Sequence, residues 1–547
     1  MMKTNFESLW VFALTSKCLT PLNTIILAFF FLVSWLIINL IFWAHPGGPA
    51  WGKHKWRKLI SISRHIIPGP NGFPIIGSMN LMSGLAHHKI AAMAESCRAL
   101  RLMAFSLGET RAVVTCNPDV AKEILNSSTF ADRPEKESAY NLMFNRSIGF
   151  APYGVYWTTL RKIAEAHLFC PKQIKASEHQ RLEIANQMVA LIFAAYKSNK
   201  RRDHHIPVRD VLKFASLNNM MRSVFGRKYE LDSVNYSELK DLVEKGYQLL
   251  GEVYWSDHFS FLADFDMQKI RSRCSSLVPR VNRFVGRIIG EHKADEEPPA
   301  AGELNRDDFV DVLLSLQGDD RLSDSDMIAV LWFILMQEMI FRGTDTVAVV
   351  IEWILARLVL HPDVQSKVHD ELDKVVGRSR AVAESDLTEL AYLTAVVKEV
   401  LRLHPPGPLL AWSRLSIRDS TVNGYHVPAG TTAMVNMWAI MRDPEVWPEP
   451  FDFKPGRFLN QGANMDFSVL GSDLRLAPFG SGRRSCPGKT LGMTTVNFWV
   501  ASLLHEFQFV GGTKSVDLSE VLRLSCEMAK PLVVRVSPRR CLSDSSR

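Results

Sequence analysis

The eight cysteines, at positions 18, 97, 116, 170, 274, 486, 526 and 541, are scattered without a CxxC pair or any zinc-ligand spacing. That excludes a disulfide framework and a structural metal site of the sequential kind, and it fits a reducing compartment. No run of Lys and Arg is interleaved with aromatics, and 64 bases stand against 57 acids for a net charge of only +7. A nucleic-acid groove is therefore excluded. No internal repeat is present, and no glycine-rich dinucleotide or flavin fingerprint follows a strand, so the chain carries no such site of its own. What is abundant is apolar mass: 47% hydrophobic residues with 30 Phe and 13 Trp, in a chain of 547 residues that is 22% charged. Such a composition belongs to a globular protein with a large interior, and length alone, at about 150 residues per domain, predicts three domains.

Lys17 and His45 enclose a stretch without charge, within which Leu22–Phe42 would span about 31 Å as a helix, the thickness of a bilayer core. It is longer than the roughly 7–15 residues of a signal-peptide core, so a retained single-pass anchor is expected over 22–43, with 1–21 as a short lumenal N-terminus. Lys53, His54, Lys55, Arg57, Lys58 and Arg64 follow in a basic linker, 44–67, whereas only Lys3 and Lys17 precede the span. The asymmetry places the bulk of the protein in the cytosol, held near anionic headgroups, and Trp51 and Trp56 fit an interfacial belt. The segment from Pro68 to Gly77 has three prolines, reads as a stiff extended connector and opens the soluble domain, 68–547.

Arg101–Cys116 reads as two short strands about Gly108 and Glu109, after which Pro118 opens a helix. Most of the chain from there to about residue 405 has helical periodicity, with a polar loop at Asp295–Asn305. One helix is predicted from a capping-box-like start at Ser323 and Asp326 to His361, about 38 residues or 57 Å. It is apolar on nearly every face, and Glu338, Arg342 and Asp345 make it a helix of the protein interior.

The segment Pro478–Gly488 (PFGSGRRSCPG) differs in context from every other cysteine-bearing stretch. Glycines at 480, 482 and 488 permit close approach and unusual φ, Pro487 removes a donor, and Arg483 and Arg484 put positive charge beside an anionic group. Phe479, Gly482, Arg484, Cys486 and Gly488 match the pattern FxxGxRxCxG, and on that match the chain resembles the haem-thiolate monooxygenases of the cytochrome P-450 type. The resemblance implies a mainly α fold with a minor β-sheet part, one compact domain in place of three, and a haem b whose iron takes Cys486 as axial thiolate. It also implies that Arg484 pairs with a haem propionate, and that the thiolate pushes electron density toward O–O cleavage.

Further segments join it. Glu399 and Arg402 (ExxR) sit on one helix face, and Phe453–Phe458 resembles the family's PxRF segment, so Arg457 completes a buried structural triad with them. Arg342-Gly-Thr-Asp-Thr346 resembles the oxygen-activation segment: Gly343 leaves room, Asp345 and Thr346 relay protons, and Thr346 can bond the carbonyl of Arg342. Trp157 and Arg161 (WTTLR) match the haem-propionate helix, and Arg414 takes the place of a third propionate-binding base. The arginine at 342, where the family commonly has Ala or Gly, resembles plant family 78 subfamily A, whose FRGTDT and LxWxRLS runs recur at 341–346 and 410–416. Arg342 either narrows the pocket or points away. Relative to that branch Phe333–Gln337 looks like five extra residues, enough to rotate the helix by about 140°; an alternative splice-acceptor product is expected, and transcript sequencing tests it.

By this resemblance the protein hydroxylates a small apolar or amphipathic substrate, with electrons from NADPH through a separate membrane-bound NADPH-cytochrome P-450 reductase docking on the basic face around the haem loop. The endoplasmic reticulum membrane is the implied location. Relatives in the branch are linked to fatty-acid hydroxylation and to a growth signal controlling organ size. Candidate pocket walls are Phe144–Phe150, Leu409–Trp412 and Leu522–Ser525. A haem-dependent isomerase or dehydratase needs no proton relay, so Asp345 and Thr346 argue against it; a non-enzymatic haem sensor would also keep Cys486, and oxygen consumption separates the two.

Overall fold

The apolar run becomes a helix, Pro21–Trp43, in a computed structural model that describes residues 21–57, 66–143, 147–198, 205–294, 341–410, 413–459, 467–512 and 516–539. Nearly all of this helix is exposed, and it is the one described helix long and apolar enough to cross a membrane. Its C-terminal end meets the body, where the Trp43 indole donates to the Gly72 carbonyl and the Phe42 and Trp56 rings meet edge to face.

The basic linker is not a free tether. Pro49–Arg57 is helical, and Trp51 is buried on the sheet with its indole donating to the Phe105 carbonyl at 3.0 Å. Trp51 thus belongs to the core rather than to an interfacial belt, because its ring fills the space over Ala104 and Val113; Trp56 remains exposed. The Pro68 segment is pinned as well: Ala104 N–H donates to the Pro68 carbonyl at 2.9 Å.

The two strands predicted about Gly108 form at Met103–Leu107 and Thr110–Thr115, pairing antiparallel. Thr110–Thr115 continues in parallel to Thr432–Val435, which pairs antiparallel with the edge strand Arg414–Leu415. A three-stranded sheet (Ile206–Pro207, Val533–Pro538, Phe507–Gly511) and two hairpins complete the β part. Pro118 opens Pro118–Asn126, capped by the Asn117 side chain, which accepts from the N–H groups of Asp119 and Val120.

The rest is helical around Phe341–Leu360, where Trp353, Ile354, Leu355 and Ala356 are fully buried. It packs against Val208–Phe225, Lys489–Glu506 and Ala391–Leu403, as its all-round apolarity requires. The mainly α fold with a minor β part is as expected. The predicted helix start at Ser323, the Phe333–Gln337 segment, the Asp295–Asn305 loop and the Arg342 side chain lie outside the described residues.

Candidate active site

The Pro478–Gly488 segment is a tight loop ahead of the Lys489–Glu506 helix. Gly482 has φ +68°, and a β-carbon there would stand 2.1 Å from the Leu125 carbonyl oxygen, so only glycine lets the loop seat against the Pro118–Asn126 helix. Gly482–Arg484 then makes one 3-10 turn, and the Cys486 N–H closes the loop on the Phe479 carbonyl at 2.9 Å. Cys486 is left partly exposed, Phe479 packs on the core, and a β-carbon on Gly488 would crowd the Phe169 ring at 3.0 Å.

Behind this loop the structure gathers arginines. Arg484 is buried and donates to the carbonyls of Ala131, Ile148 and Ala151 at 3.0, 2.9 and 2.7 Å, with its guanidinium 4.1 Å from the Trp157 ring centroid. Trp157 in turn donates to the Ile148 carbonyl at 2.8 Å. Arg161 donates to the Ser485 carbonyl, next to Cys486, at 2.7 Å and pairs with Glu165 at 2.5 Å. Arg414 is buried at the sheet edge, and its one hydrogen bond among the described residues is a long 3.4 Å contact to the Ser481 carbonyl. Burial, then the charges of Arg484 and Arg161, pull its pKa down to about 9. Among the described residues no carboxylate pairs with Arg414. Such a cluster favours a buried anion.

Asp345 is buried near the start of the Phe341–Leu360 helix, with Lys213 Nζ 3.4 Å from its Oδ1. One face of that helix, seven residues on, carries Glu352, which Arg209 holds at 2.8 Å. The two ion pairs tie the helix to Val208–Phe225, running antiparallel. Four residues of rise on one helix, about 6 Å, face seven on the other, about 10.5 Å, and of the two contacts the Lys213 one is the longer. Burial pushes the Asp345 carboxyl up to about 6, with Lys213 opposing. Thr346, the next residue, is half-buried.

The expected triad is assembled away from these groups. Glu399, with no exposure, accepts from Arg402 Nε and Nη2 at 2.8 and 2.9 Å, from Arg457 Nε at 3.1 Å and from the Lys454 N–H at 2.9 Å. Arg402 also donates to the carbonyls of Met441, Pro450 and Asp452, cross-tying the segment that carries Arg457 to the Ala391–Leu403 helix.

A cavity of about 1000 Å³ has Asp345 on its wall. Phe150, Leu409 and Leu522–Leu524 line it as the sequence predicted, Ser147, Ile148, Gly149 and Leu410 do not reach it, and residues 144–146, 411 and 412 lie outside the described set. Ser525 is set back from the wall, its N–H donating to the Tyr247 hydroxyl at 2.9 Å. Cys486 and the arginines are likewise not on the wall, so the structure brings Cys486 together with Arg161, Arg414 and Arg484 and holds Asp345 on a second flank. Sequence reasoning missed Lys213 and Arg209. Both sit four apart on a helix whose exposed and buried faces barely differ in polarity, so nothing local marked them.

Comparison with known proteins agrees with this arrangement. The cytochrome P450 family model matches residues 67–524. The chain is 64% identical to cytochrome P450 78A3 of Glycine max (98% of this chain, 99% of that protein) and 63% identical to cytochrome P450 78A9 of Arabidopsis thaliana (97% and 98%). It is 34% identical to a flavonoid 3'-monooxygenase of Arabidopsis thaliana, over 88% of this chain and 93% of that one. A zebrafish cytochrome P450 solved with abiraterone superposes with a TM-score of 0.67 at 25% identity, covering 83% of this chain and 99% of its own. Fold, loop and relatives agree, and the chain belongs to the cytochrome P450 family of oxygen-incorporating oxidoreductases, whose members carry haem on a cysteine thiolate.

Proposed function

We propose that Cys486 is the thiolate ligand to a haem b iron and that the chain is a membrane-anchored monooxygenase of a small amphipathic substrate. The observation that carries this reading is the cluster of Arg161, Arg414 and Arg484 behind the cysteine loop, with no carboxylate for Arg414 among the described residues. A ligand bearing two carboxylates beside its metal is the counter-ion such a cluster fits, and haem has two propionates. Trp157, whose indole N–H is taken by the Ile148 carbonyl, would act on the same side through its ring, which holds the Arg484 guanidinium in place. Held there and supplied with electrons, a haem would provide the oxygen chemistry.

The protein's part is positional and protonic. The Gly482 contact and the Cys486 N–H bond fix the sulfur in place. Asp345, pushed up to about 6 by burial, exchanges protons near neutral pH, and Lys213 stands within reach to stabilise its charged form. Thr346, beside it on the helix, is the hydroxyl through which that proton would pass. Glu399, Arg402 and Arg457 hold structure and take no part in chemistry.

The cavity supports an amphipathic substrate: Leu217, Leu409 and Leu524 line it together with Lys240 and Arg523, whose side chains are 48% and 59% exposed. A fatty acid, or a growth signal derived from one, would lay its chain on the leucines and its carboxylate toward the bases. The Pro21–Trp43 helix, in a chain whose relatives are plant proteins, is consistent with an anchor in the endoplasmic reticulum; we place the catalytic body on the cytosolic side, with electrons arriving from NADPH through a separate reductase. The test is full-length protein in vesicles with a plant reductase, following NADPH and oxygen consumption across a fatty-acid panel. Product formation with at least one lipid class, lost in Cys486→Ser together with the spectrum of the reduced carbonyl adduct, is the expected result. Haem binding by Cys486→Ser with an unchanged Soret band overturns it.

A further inference from the structure

Two adjacent histidines and a carboxylate from a distant part of the sequence meet at one spot outside the site described above. Glu520 opens the Glu520–Leu522 strand, and its Oε2 lies 3.5 Å from His87 Nε2 and 3.3 Å from His88 Nε2, both in the first turn of the Ala86–Ser96 helix. Among the described residues neither ring nitrogen of His87 has a hydrogen-bond partner, and the same holds for His88 Nε2 and Glu520 Oε2. His87 is fully buried, so no bulk water relieves it.

Two observations separate a cation site from an ordinary histidine–carboxylate pair. A charge-assisted N–H···O bond closes to about 2.7–2.9 Å, and both contacts here stop well short of that. Tetrahedral zinc with bonds near 2.0–2.1 Å, by contrast, spaces its ligand atoms about 3.3 Å apart, and all three atoms lie within 4.8 Å of one another. The surroundings are built to hold these atoms still. Arg357 Nε donates to His404 Nε2 at 3.0 Å, which leaves the hydrogen on Nδ1 to be donated to Glu520 Oε1 at 3.1 Å. One carboxylate oxygen is thereby occupied and the other turned toward the histidines, the outer support that ligating carboxylates have. His404 lies flat on Trp353 at 3.9 Å, and the His88 ring sits 4.1 Å from Trp438.

We propose that His87, His88 and Glu520 form a binding site for a divalent transition-metal cation of the zinc class. Leu522 and Ala86, each one or two residues from a ligand, line the cavity. A bound cation fastens the Glu520–Met528 hairpin to the Ala86–Ser96 helix across that wall. The site is independent of the haem chemistry and of any substrate assignment.

The test uses the full-length, haem-loaded protein, stripped of loose metal with a chelator and dialysed against graded free Zn²⁺, with bound zinc and haem iron counted by elemental mass spectrometry. One zinc per haem is expected in the wild type, with at least a tenfold weaker affinity in His88→Ala at an unchanged reduced carbonyl spectrum. Uptake that is equal in the two proteins, or absent in the wild type at 100-fold excess over a micromolar dissociation constant, overturns the site. Zinc-edge X-ray absorption on the wild type decides it without any variant: a first shell of two imidazoles and a carboxylate is expected, and sulfur coordination refutes it.

Discussion

Replacing Asp345 by asparagine should make the protein more stable at pH 7.5 and less active. The folded state holds the Asp345 proton up to about pH 6, against an ordinary value of 3.8. The unfolded chain thus releases this proton first, and stability falls as pH rises between those two values. Above pH 6 the full cost applies, two units or about 3 kcal/mol. At pH 5 only about 1.5 kcal/mol of it has developed, and near pH 4 very little. Asparagine carries no charge at any pH and removes the cost. It also removes the partner of Lys213, but that attraction is already contained in the shift, and the 32% exposed lysine can turn to water. The net gain is about 3 kcal/mol at pH 7.5, a rise in melting temperature of several degrees, shrinking to about 1.5 kcal/mol at pH 5. Turnover by the same variant should drop by about 10²–10⁴ if Asp345 passes protons. Thermal melts of wild type and Asp345→Asn at both pH values, on haem-loaded protein, measure this. A variant that melts below the wild type at pH 7.5, or by the same difference at both pH values, refutes the burial argument.

Two further outcomes follow from the same charges. Glu399→Ala removes the acceptor of four hydrogen bonds and leaves the fully buried Arg402 on backbone carbonyls alone, so a loss of about 3–5 kcal/mol is expected; a melt within a degree of the wild type contradicts it. Arg414→Met relieves the arginine crowding, so haem-free protein should melt at the same or a higher temperature while haem affinity falls at least tenfold. Undiminished haem retention through gel filtration would show that Arg414 faces no propionate.

The parts of the molecule that were legible in the sequence are those whose determinants are local. Gly480, Gly482 and Cys486 lie within seven residues, and their spacing carries the loop's geometry; Glu399 and Arg402 are one helical turn apart, and the paired strands around Gly108 meet through a two-residue turn. What escaped depends on how elements are set against one another. Trp51 looked like a membrane-interface residue because tryptophan suits an interface and a core equally, and only the packing of Pro49–Arg57 on the first strand decides between them. The Lys213–Asp345 contact requires the register of two antiparallel helices. Glu520 lies more than 430 residues beyond the adjacent His87 and His88, so a search for ligand spacings, which excluded zinc on the cysteines, had no means of bringing them together.

Buried charge in this protein falls into two kinds, and the division predicts where ligands act. Glu399, Arg402, Arg209 and Glu352 have partners supplied by the fold, with short contacts of 2.8–3.1 Å. Arg414, with a single 3.4 Å contact, and the Glu520 oxygen that faces two histidines have poor partners or none among the described residues, and Asp345 has a stretched one. Packing alone does not explain the second kind, because an isolated buried charge costs several kcal/mol and a fold under no other constraint would replace it with an apolar residue. Each of these groups lies where something from outside the chain would compensate it: an anion at Arg414, a proton at Asp345, a cation at Glu520. The protein without those ligands therefore holds unfavourable charge in reserve, and binding them converts that cost into affinity.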